Sequence, residues 1–268
     1  MTREYDRDCG YCAAAERTAE VCCGSYYDAV QAAAGGASRI ELNSALMLGG
    51  LTPTTATLRL VKEHFPQLKV ITMVRPRGSG FCYTEEEFLV MEEECRDLLK
   101  CGADGVAFGC LKPDAAPDPE RNRRLISWIK KAGKEAVFHR AFDCCKDPYA
   151  TMEQLIDLGI DRVLTSGLKP KAMEGAGLLA ELQKCYGDQI QILAGSGVNA
   201  GNACKLMERT GICQVHSSCK AWLTDPTTVQ NGVSYSIATG VQELQYDVVS
   251  AELVRELVQA VEMVRNRR

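Results

Sequence analysis

The sequence has no excess of positive charge and no long apolar run. It carries 31 Lys and Arg against 35 Asp and Glu, a net charge of −4, so a basic face for nucleic acid or anionic membranes is not expected. No stretch is apolar over the thickness of a bilayer, and residues 1–8 lack the apolar core of a signal peptide. We therefore expect a cytoplasmic protein whose partners are small molecules, metal ions or further copies of itself in a homo-oligomer.

The sequence also lacks a low-complexity linker or an abrupt change of composition that would divide it. Its 268 residues are 46% hydrophobic and 25% charged, which is ordinary for a globular chain that buries a substantial core. We expect a flexible polar leader over residues 1–18 and one domain over residues 19–268.

Histidine is scarce and cysteine is abundant. The three histidines, too far apart to form a ligand motif, are His64, His139 and His216. The 14 cysteines are scattered, and in the cytoplasm we expect reduced thiols that mostly pack as small apolar side chains. A single Cys9-x-x-Cys12 is weak evidence for zinc. Because neighbouring strand residues point to opposite faces, only one of Cys22 and Cys23 can face a pocket.

Eight short β-branched segments alternate with helix-patterned segments along the chain. The strands are expected to begin near Ala19, Ser38, Lys69, Asp104, Glu135, Arg162, Gln189 and Gln214. Their spacing is typical of parallel strands joined by crossover helices. A doubly wound open sheet is the alternative, but no glycine-rich dinucleotide loop follows the first strand. The pattern predicts a single (β/α)₈ TIM barrel.

Several helix ends carry their own signals. Thr52-Pro53, Asp118-Pro119 and Asp147-Pro148 each place a capping side chain before a proline suited to the first helical position. Thr84 and Glu87 predict a capping box. A last helix is expected over residues 247–265, with Leu253, Leu257, Val261 and Val264 on one face. Residues 220–246 look irregular and could cover the mouth of a pocket.

Polar side chains occur on strands that should fill a barrel with aliphatic residues. Since alternate strand residues share a face, the pairs expected on common faces are Glu20 with Cys22, Glu41 with Asn43, Arg75 with Arg77, and His139 with Asp143. Charged groups inside a barrel must meet one another or a ligand.

Two interpretations of these residues remain open. In the first, they form a catalytic pocket at the carboxyl ends of the strands. There Glu41 and His139 exchange protons, Asp143 orients the histidine, and Arg75 clamps an anion. Glu20 and Arg77 would add ligand contacts. In the second, a network of buried glutamates and arginines simply closes one end of the barrel.

The last two strands end in segments that resemble anion-binding turns. The candidate ligand-binding residues there are Gly195, Ser196, Gly197 and Ser217. In many barrels these loops hold a phosphate or carboxylate on backbone N–H groups. Alternatively, the glycines only form tight turns between strand and helix.

Several long motifs, in order along the chain, resemble the CutC family. They are Arg39-Ile40-Glu41-Leu42, Gly49-Gly50-Leu51-Thr52-Pro53, Arg75-Pro76-Arg77-Gly78, Phe138-His139-Arg140-Ala141-Phe142-Asp143, Arg162-Val163-Leu164-Thr165-Ser166-Gly167 and Val215-His216-Ser217. The resemblance extends from about Glu20 to Gly240. It implies a (β/α)₈ barrel and a role in copper homeostasis.

In the family, Cu(I) binding is attributed to cysteines on the first two strands. Cys22 matches the first of these cysteines, whereas the second position holds Asn43. The resemblance therefore implies weak Cu(I) binding through Cys22, with an incomplete metal site. An enzyme that acts on a small anionic or carbohydrate-like ligand through Glu41, Arg75 and His139 is the alternative. A third hypothesis is a scaffold barrel whose function lies in its oligomer surface.

Overall fold

The computed structural model describes residues 17–264. Most of the predicted leader, including Cys9 and Cys12, lies outside the described residues. Thr18, which the prediction assigned to the leader, already begins the first strand.

The described chain forms a closed barrel of eight parallel strands. Each strand pairs with the next along the chain, and β8 pairs with β1. The barrel strands are β1 Thr18–Cys23, β2 Arg39–Leu42, β3 Lys69–Met73, β4 Gly105–Phe108, β5 Glu135–Phe138, β6 Arg162–Thr165, β7 Gln191–Gly195 and β8 Gln214–Ser217. Every predicted strand start lies within two residues of the observed one, and the (β/α)₈ prediction is confirmed.

Helices follow the strands and form the outer layer. They are α1 Tyr26–Ala34, α2 Thr55–His64, α3 Glu85–Lys100, α4 Pro119–Lys131, α5 Pro148–Leu158, α6 Ala176–Tyr186, α7 Ala200–Thr210 and α8 Ala251–Met263. One face of each strand packs against this layer through a continuous apolar core. The opposite face points into the barrel, because alternate strand residues point to opposite sides.

Local signals correctly predicted the starts of three helices. Asp118 and Asp147 cap α4 and α5, and the Thr84 capping box begins α3. The prediction at Thr52 is wrong, because the side chain of Thr54 accepts the N–H of Thr57 and α2 begins at Thr55.

The apolar face of the last helix differs from its prediction by one residue. Val254, Leu257 and Val261 are buried, whereas Leu253 is 39% exposed. The predicted start at residue 247 is also too early, since residues up to Val249 belong to a strand.

The amino-terminal end of the barrel is closed by polar side chains, which we call the basal layer. Its members are Glu20, Arg39, Lys69, Glu135, Arg162, Gln191 and Gln214, most of them the first residue of a strand. Arg39 Nε donates to Glu20 Oε2 at 2.6 Å, and Arg162 Nη2 donates to Glu135 Oε2 at 2.9 Å. The barrel above is filled by Ile71, Met73, Ala107 and Val137. The charges of the basal layer are thus paired within the protein.

The segment predicted to be irregular is instead ordered into an arm. Strand β9 (Lys220–Thr224) pairs antiparallel with β12 (Gln245–Val249), and β10 (Val229–Gln230) pairs with β11 (Val233–Ser234). Lys220 and Asp247 of this arm line the cavity described below. The arm therefore contributes to the mouth of the cavity, as the sequence suggested.

The described cysteines differ in oxidation state. Eleven carry free thiols, whereas Cys213 is disulfide-bonded. The expectation of reduced thiols is therefore wrong at Cys213. Within residues 17–264, no helix is long and apolar enough to cross a membrane.

Candidate functional site

A cavity of about 340 Å³ lies at the carboxyl ends of the barrel strands. Its walls include Cys22 of β1, Glu41 of β2, Arg75 after β3, His139 after β5 and His216 of β8. Sites of this fold occur at this end of the barrel. The cavity can hold a small molecule or a metal ion.

Three potential metal donors meet on one side of the cavity. The Cys22 Sγ, a carboxylate oxygen of Glu41 and a ring nitrogen of His216 all lie within 4.8 Å of one another. The Glu41 Oε2 lies 3.9 Å from both the Cys22 Sγ and the His216 Nε2. Cys22 and Glu41 are register partners on β1 and β2, and β8 closes the barrel beside β1. We call these three residues the donor triad.

Glu20 lies beneath the donor triad rather than on the cavity wall. Its Oε1 is 2.9 Å from the Nδ1 of His216, and its Oε2 accepts from Arg39. With Nδ1 held in this way, the His216 Nε2 is turned towards Glu41. A carboxylate behind the imidazole is the usual support of a metal-ligating histidine. The structure therefore brings Glu20 to the site through His216, and not as a direct ligand contact.

Burial and pairing change the protonation of these groups in different directions. Burial favours a neutral Glu20, but Arg39 and then His216 outweigh it and hold the pKa of Glu20 well below its ordinary value. Burial likewise opposes a charged His216, yet hydrogen bonds to Cys22 and Glu20 raise its pKa well above the ordinary value. For Glu41, burial dominates and raises the pKa. Burial also raises the pKa of the Cys22 thiol.

Asn43 occupies the position beside the donor triad where the family resemblance places a second cysteine. Its Nδ2 donates to the Glu41 Oε2 at 3.1 Å and to the Cys22 Sγ at 3.6 Å. Its Oδ1 is buried without a hydrogen-bond partner. Gly50 packs against this amide, and a Cβ at position 50 would lie 2.5 Å from the Oδ1. Asn43 therefore donates to two members of the donor triad.

Cys23 does not replace the missing thiol. Its side chain is completely buried in the apolar core between the strands and the helices, on the opposite face of β1 from Cys22. This is the orientation that strand alternation predicts.

Arg75 and His139 form a second part of the cavity wall. The Arg75 guanidinium donates to the carbonyl oxygens of Leu48 and Gly50, both at 2.9 Å, and of Ser79 at 2.6 Å. The His139 Nδ1 accepts the N–H of Ala141 at 3.2 Å. The Arg75 Nε and His139 Nε2 have no hydrogen-bond partner.

The protonation of His139 is set by its surroundings. Burial, reinforced by the charge of Arg75, lowers the pKa of His139 to about 3. The imidazole is therefore neutral near pH 7. Since its Nδ1 accepts a hydrogen bond, its proton lies on Nε2.

Two residues predicted for the site make their contacts elsewhere. Asp143 pairs with the Arg140 Nε at 2.7 Å and accepts the N–H of Ser166 at 2.9 Å. It thereby anchors the loop after β6 and makes no hydrogen bond to His139. Arg77 pairs with Glu87 and donates to main-chain carbonyls of its own loop. Neither residue lines the cavity.

The loop after β7 contributes Ser196 and Gly197 to the cavity wall, and the last residue of β8 contributes Ser217. Their polar groups have internal partners: the Ser196 Oγ donates to the Pro170 carbonyl at 2.7 Å, and the Ser217 Oγ donates to the Val198 carbonyl at 2.6 Å. Asn199 caps the following helix α7. Gly195 is the last residue of β7 and does not line the cavity.

His216 is the site residue that sequence reasoning did not select. It was named only as part of Val215-His216-Ser217 and as a histidine without a nearby ligand. The available signal was its position at the end of β8, which a closed barrel places beside β1. Local spacing does not show this, because His216 and Glu20 are 196 residues apart.

A family model and the sequences of known proteins match this chain to the same family. A family model described as "CutC family" matches residues 17–221. The family protein CutC of Treponema denticola is 45% identical over 216 residues, which cover 81% of this chain and 87% of the relative. The family protein CutC of Citrobacter koseri is 39% identical over 240 residues, covering 89% and 94%.

A solved structure agrees with these sequence relatives. A CutC from Streptococcus agalactiae, described provisionally as a copper homeostasis protein, superposes with a TM-score of 0.72 at 28% identity. The match covers 75% of this chain and 98% of that protein. The family model ends at residue 221, so most of the arm lies beyond it.

Proposed function

Because the chain belongs to the CutC family, we propose that it acts in copper homeostasis by binding Cu(I) through Cys22 and His216. The observation that carries this proposal is the meeting of a thiol, an imidazole and a carboxylate within 4.8 Å at the strand ends. The described relative from Streptococcus agalactiae supports the copper assignment by its name. We propose a cytoplasmic location for this activity.

The chemistry of the donor set fits Cu(I) in part. Thiolate is a soft ligand that selects Cu(I), and imidazole also suits copper, whereas carboxylates prefer harder ions. Cys22 and His216 are therefore the proposed ligands. Glu41 would remain hydrogen-bonded to Asn43. The protein would bind Cu(I) at this site as cargo, and this role requires no redox chemistry.

The residues around Cys22 and His216 would orient these two proposed ligands. Glu20 holds the Nδ1 of His216, so the Nε2 would bind the metal after releasing the proton that its raised pKa favours. Asn43 supplies an amide to the thiol of Cys22 in place of a second sulfur. With one thiolate instead of two, we expect weaker binding than in relatives that have both cysteines.

An anaerobic Cu(I) titration against the chromophoric competitor bicinchoninate tests the proposal. The exposed thiols of Cys82, Cys144 and Cys185 also have affinity for Cu(I), so the parent for this experiment carries serine at these positions. We expect Cys22→Ser to weaken binding at least about tenfold, a loss of about 1.4 kcal/mol. Cys101→Ser, which changes a half-buried thiol at the end of α3, should bind as the parent does.

Alkylation read peptide by peptide separates Cys22 from the other thiols. One equivalent of Cu(I) should protect Cys22 from iodoacetamide, and His216→Ala should abolish that protection. Equal affinities of Cys22→Ser and Cys101→Ser would contradict the proposal. So would a preference of the site for Zn(II) over Cu(I).

A further inference from the structure

Arg75 is a buried cation without a carboxylate partner. Three arginines of the described chain are buried, namely Arg39, Arg75 and Arg162. Arg39 pairs with Glu20, and Arg162 pairs with Glu135. Arg75 donates to main-chain carbonyls and lies close to the Tyr83 hydroxyl, and among residues 17–264 it has no ion pair. A buried charge without a counter-charge is strongly unfavourable, so a negative group is expected to join it.

The main-chain contacts of Arg75 fix its orientation. Three carbonyl oxygens, from the turn before α2 and from the loop after β3, hold its Nη1 and Nη2. Those contacts use neutral acceptors and leave the net positive charge at the cavity wall. Because the guanidinium is already fixed, it can bind an anion without losing further conformational entropy.

His139 supplies a second donor on the same wall. Its Nε2 is buried and makes no hydrogen bond, and its Nδ1 is already an acceptor. The low pKa of about 3 keeps the ring neutral. The Nε2–H can therefore donate to a ligand oxygen and brings no second positive charge.

Phe81 lies against both groups. The Arg75 guanidinium carbon is 5.2 Å from the centre of the Phe81 ring, and the His139 ring centre is 4.9 Å from it. Phe81 is half-buried and lines the cavity. The ring thus lies beside both residues that carry the unpartnered donors, and it is the side chain that we expect a ligand to displace.

We propose that Arg75 and His139 bind the carboxylate of a small organic acid in the barrel cavity, with Phe81 as a movable cover. One fixed cation and one neutral donor match a singly charged group with two oxygens. The other two cations that line the cavity, Arg140 and Lys220, are already paired with Asp143 and Asp247, so a phosphate dianion would find only one cation without a counter-charge. A cavity of about 340 Å³ limits the acid to a small molecule. This binding does not depend on the proposed Cu(I) ligands.

Binding can be followed at the two side chains themselves. In metal-free protein labelled with ¹⁵N, the Arg75 Nε and His139 Nε2 resonances are recorded while sodium acetate replaces sodium chloride at constant ionic strength. We expect both signals to shift and saturate with one shared Kd in the millimolar range, as befits so small a ligand. Glycerol, which is neutral, should leave both unchanged, and inorganic phosphate should bind more weakly than acetate.

Variants test the roles of the three residues. Phe81→Ala should tighten acetate binding several-fold, because it removes the cover. His139→Asn should weaken it, and Arg75→Gln should reduce it at least about tenfold. Arg77→Gln is the matched control, since Arg77 lies on the same loop but pairs with Glu87. If Arg75→Gln does not fold, acetate binding by Phe81→Ala and His139→Asn still tests the proposal.

Three results would overturn the proposal: no saturable shift with acetate in either the parent or Phe81→Ala, tighter binding of phosphate than of acetate, or equal shifts with glycerol. The parent and Cys22→Ser should bind acetate alike. Failure of Cu(I) binding and failure of carboxylate binding are therefore distinguishable.

Discussion

Glu20 Oε1 and His216 Nδ1 lie 2.9 Å apart across the seam where β1 meets β8. Both side chains are almost completely buried, and Glu20 also pairs with Arg39 on β2. Glu20 thus connects the basal layer to the donor triad. Four predictions follow from this arrangement and from the groups around the cavity.

The first prediction concerns the charge of Glu20. Glu20→Gln should lower the free energy of unfolding by about 3–5 kcal/mol, because it leaves Arg39 buried without its counter-charge. Urea denaturation at pH 7.5 measures the loss. Asp97→Asn breaks the exposed pair with Lys100 and should cost less than about 1 kcal/mol. Equal losses for the two variants would mean that the Glu20–Arg39 pair contributes no more than a surface contact.

The second prediction concerns the pH dependence of stability. The folded-state pKa of His139, about 3, lies below the unfolded value of about 6.5. Its contribution to stability is therefore complete above pH 6.5 and is lost as the pH falls towards 3. Between these values the free energy of unfolding should fall by up to about 1.4 kcal/mol per pH unit from this group alone.

His139→Asn isolates that contribution, because the asparagine Oδ1 can still accept the N–H of Ala141. Urea denaturation at pH 7.0, 5.5 and 4.5 should show a shallower pH dependence than in the parent. Parallel slopes for parent and His139→Asn would show that His139 is protonated as readily folded as unfolded.

The third prediction concerns a second cysteine beside Cys22. Asn43→Cys places a second sulfur beside Cys22, where the Asn43 Nδ2 is now 3.6 Å from the Cys22 Sγ. Because Cu(I) prefers two soft ligands to one, its affinity should rise at least about tenfold in the bicinchoninate competition. Ser44→Cys, one residue on and on the other face of the chain, should not change it. No gain in Asn43→Cys would argue against Cu(I) binding beside Cys22.

The fourth prediction concerns the close approach of Gly50 to Asn43. Gly50 has a φ of +84°, and a Cβ there would meet the Asn43 Oδ1 at 2.5 Å. Gly50→Ala should destabilise the protein by about 1–3 kcal/mol through both strain and the clash. Gly36→Ala, with a φ of +90° and open space around it, measures the strain alone. Thermal unfolding should therefore show a larger loss for Gly50→Ala, and the reverse order would exclude the clash.

Much of the fold was predictable from local patterns. The starts of β3, β5, β6 and β8 are at the expected residues, and the caps of α4 and α5 follow from Asp-Pro pairs. These features depend on neighbours within a few residues. The errors at Thr52 and Leu253 are shifts of one or two positions, where a competing cap or a small rotation of the helix decided between adjacent residues.

The site was predicted in outline, with Glu41, Arg75 and His139 on the cavity wall. The polar strand residues divide between the two ends of the barrel: Glu20 belongs to the basal layer, and Glu41 lines the cavity. The catalytic role of the cavity residues stays a prediction. Period-two alternation shows which face a residue occupies. It does not show at which height inside the barrel the residue lies, or which side chain it meets.

The sequence by itself determined the barrel, its strand order and several of the side chains that face inwards, among them Glu41 and His139, because hydrophobic period and capping chemistry act between near neighbours. Only the tertiary structure decided the partners. Because β8 pairs with β1, His216 lies beside Glu20 and Cys22. The loop after β6 places Ser166 where its N–H donates to Asp143, which therefore does not contact His139. Contacts between residues far apart in the chain depend on the register of strands around the whole barrel, and no local pattern encodes that register.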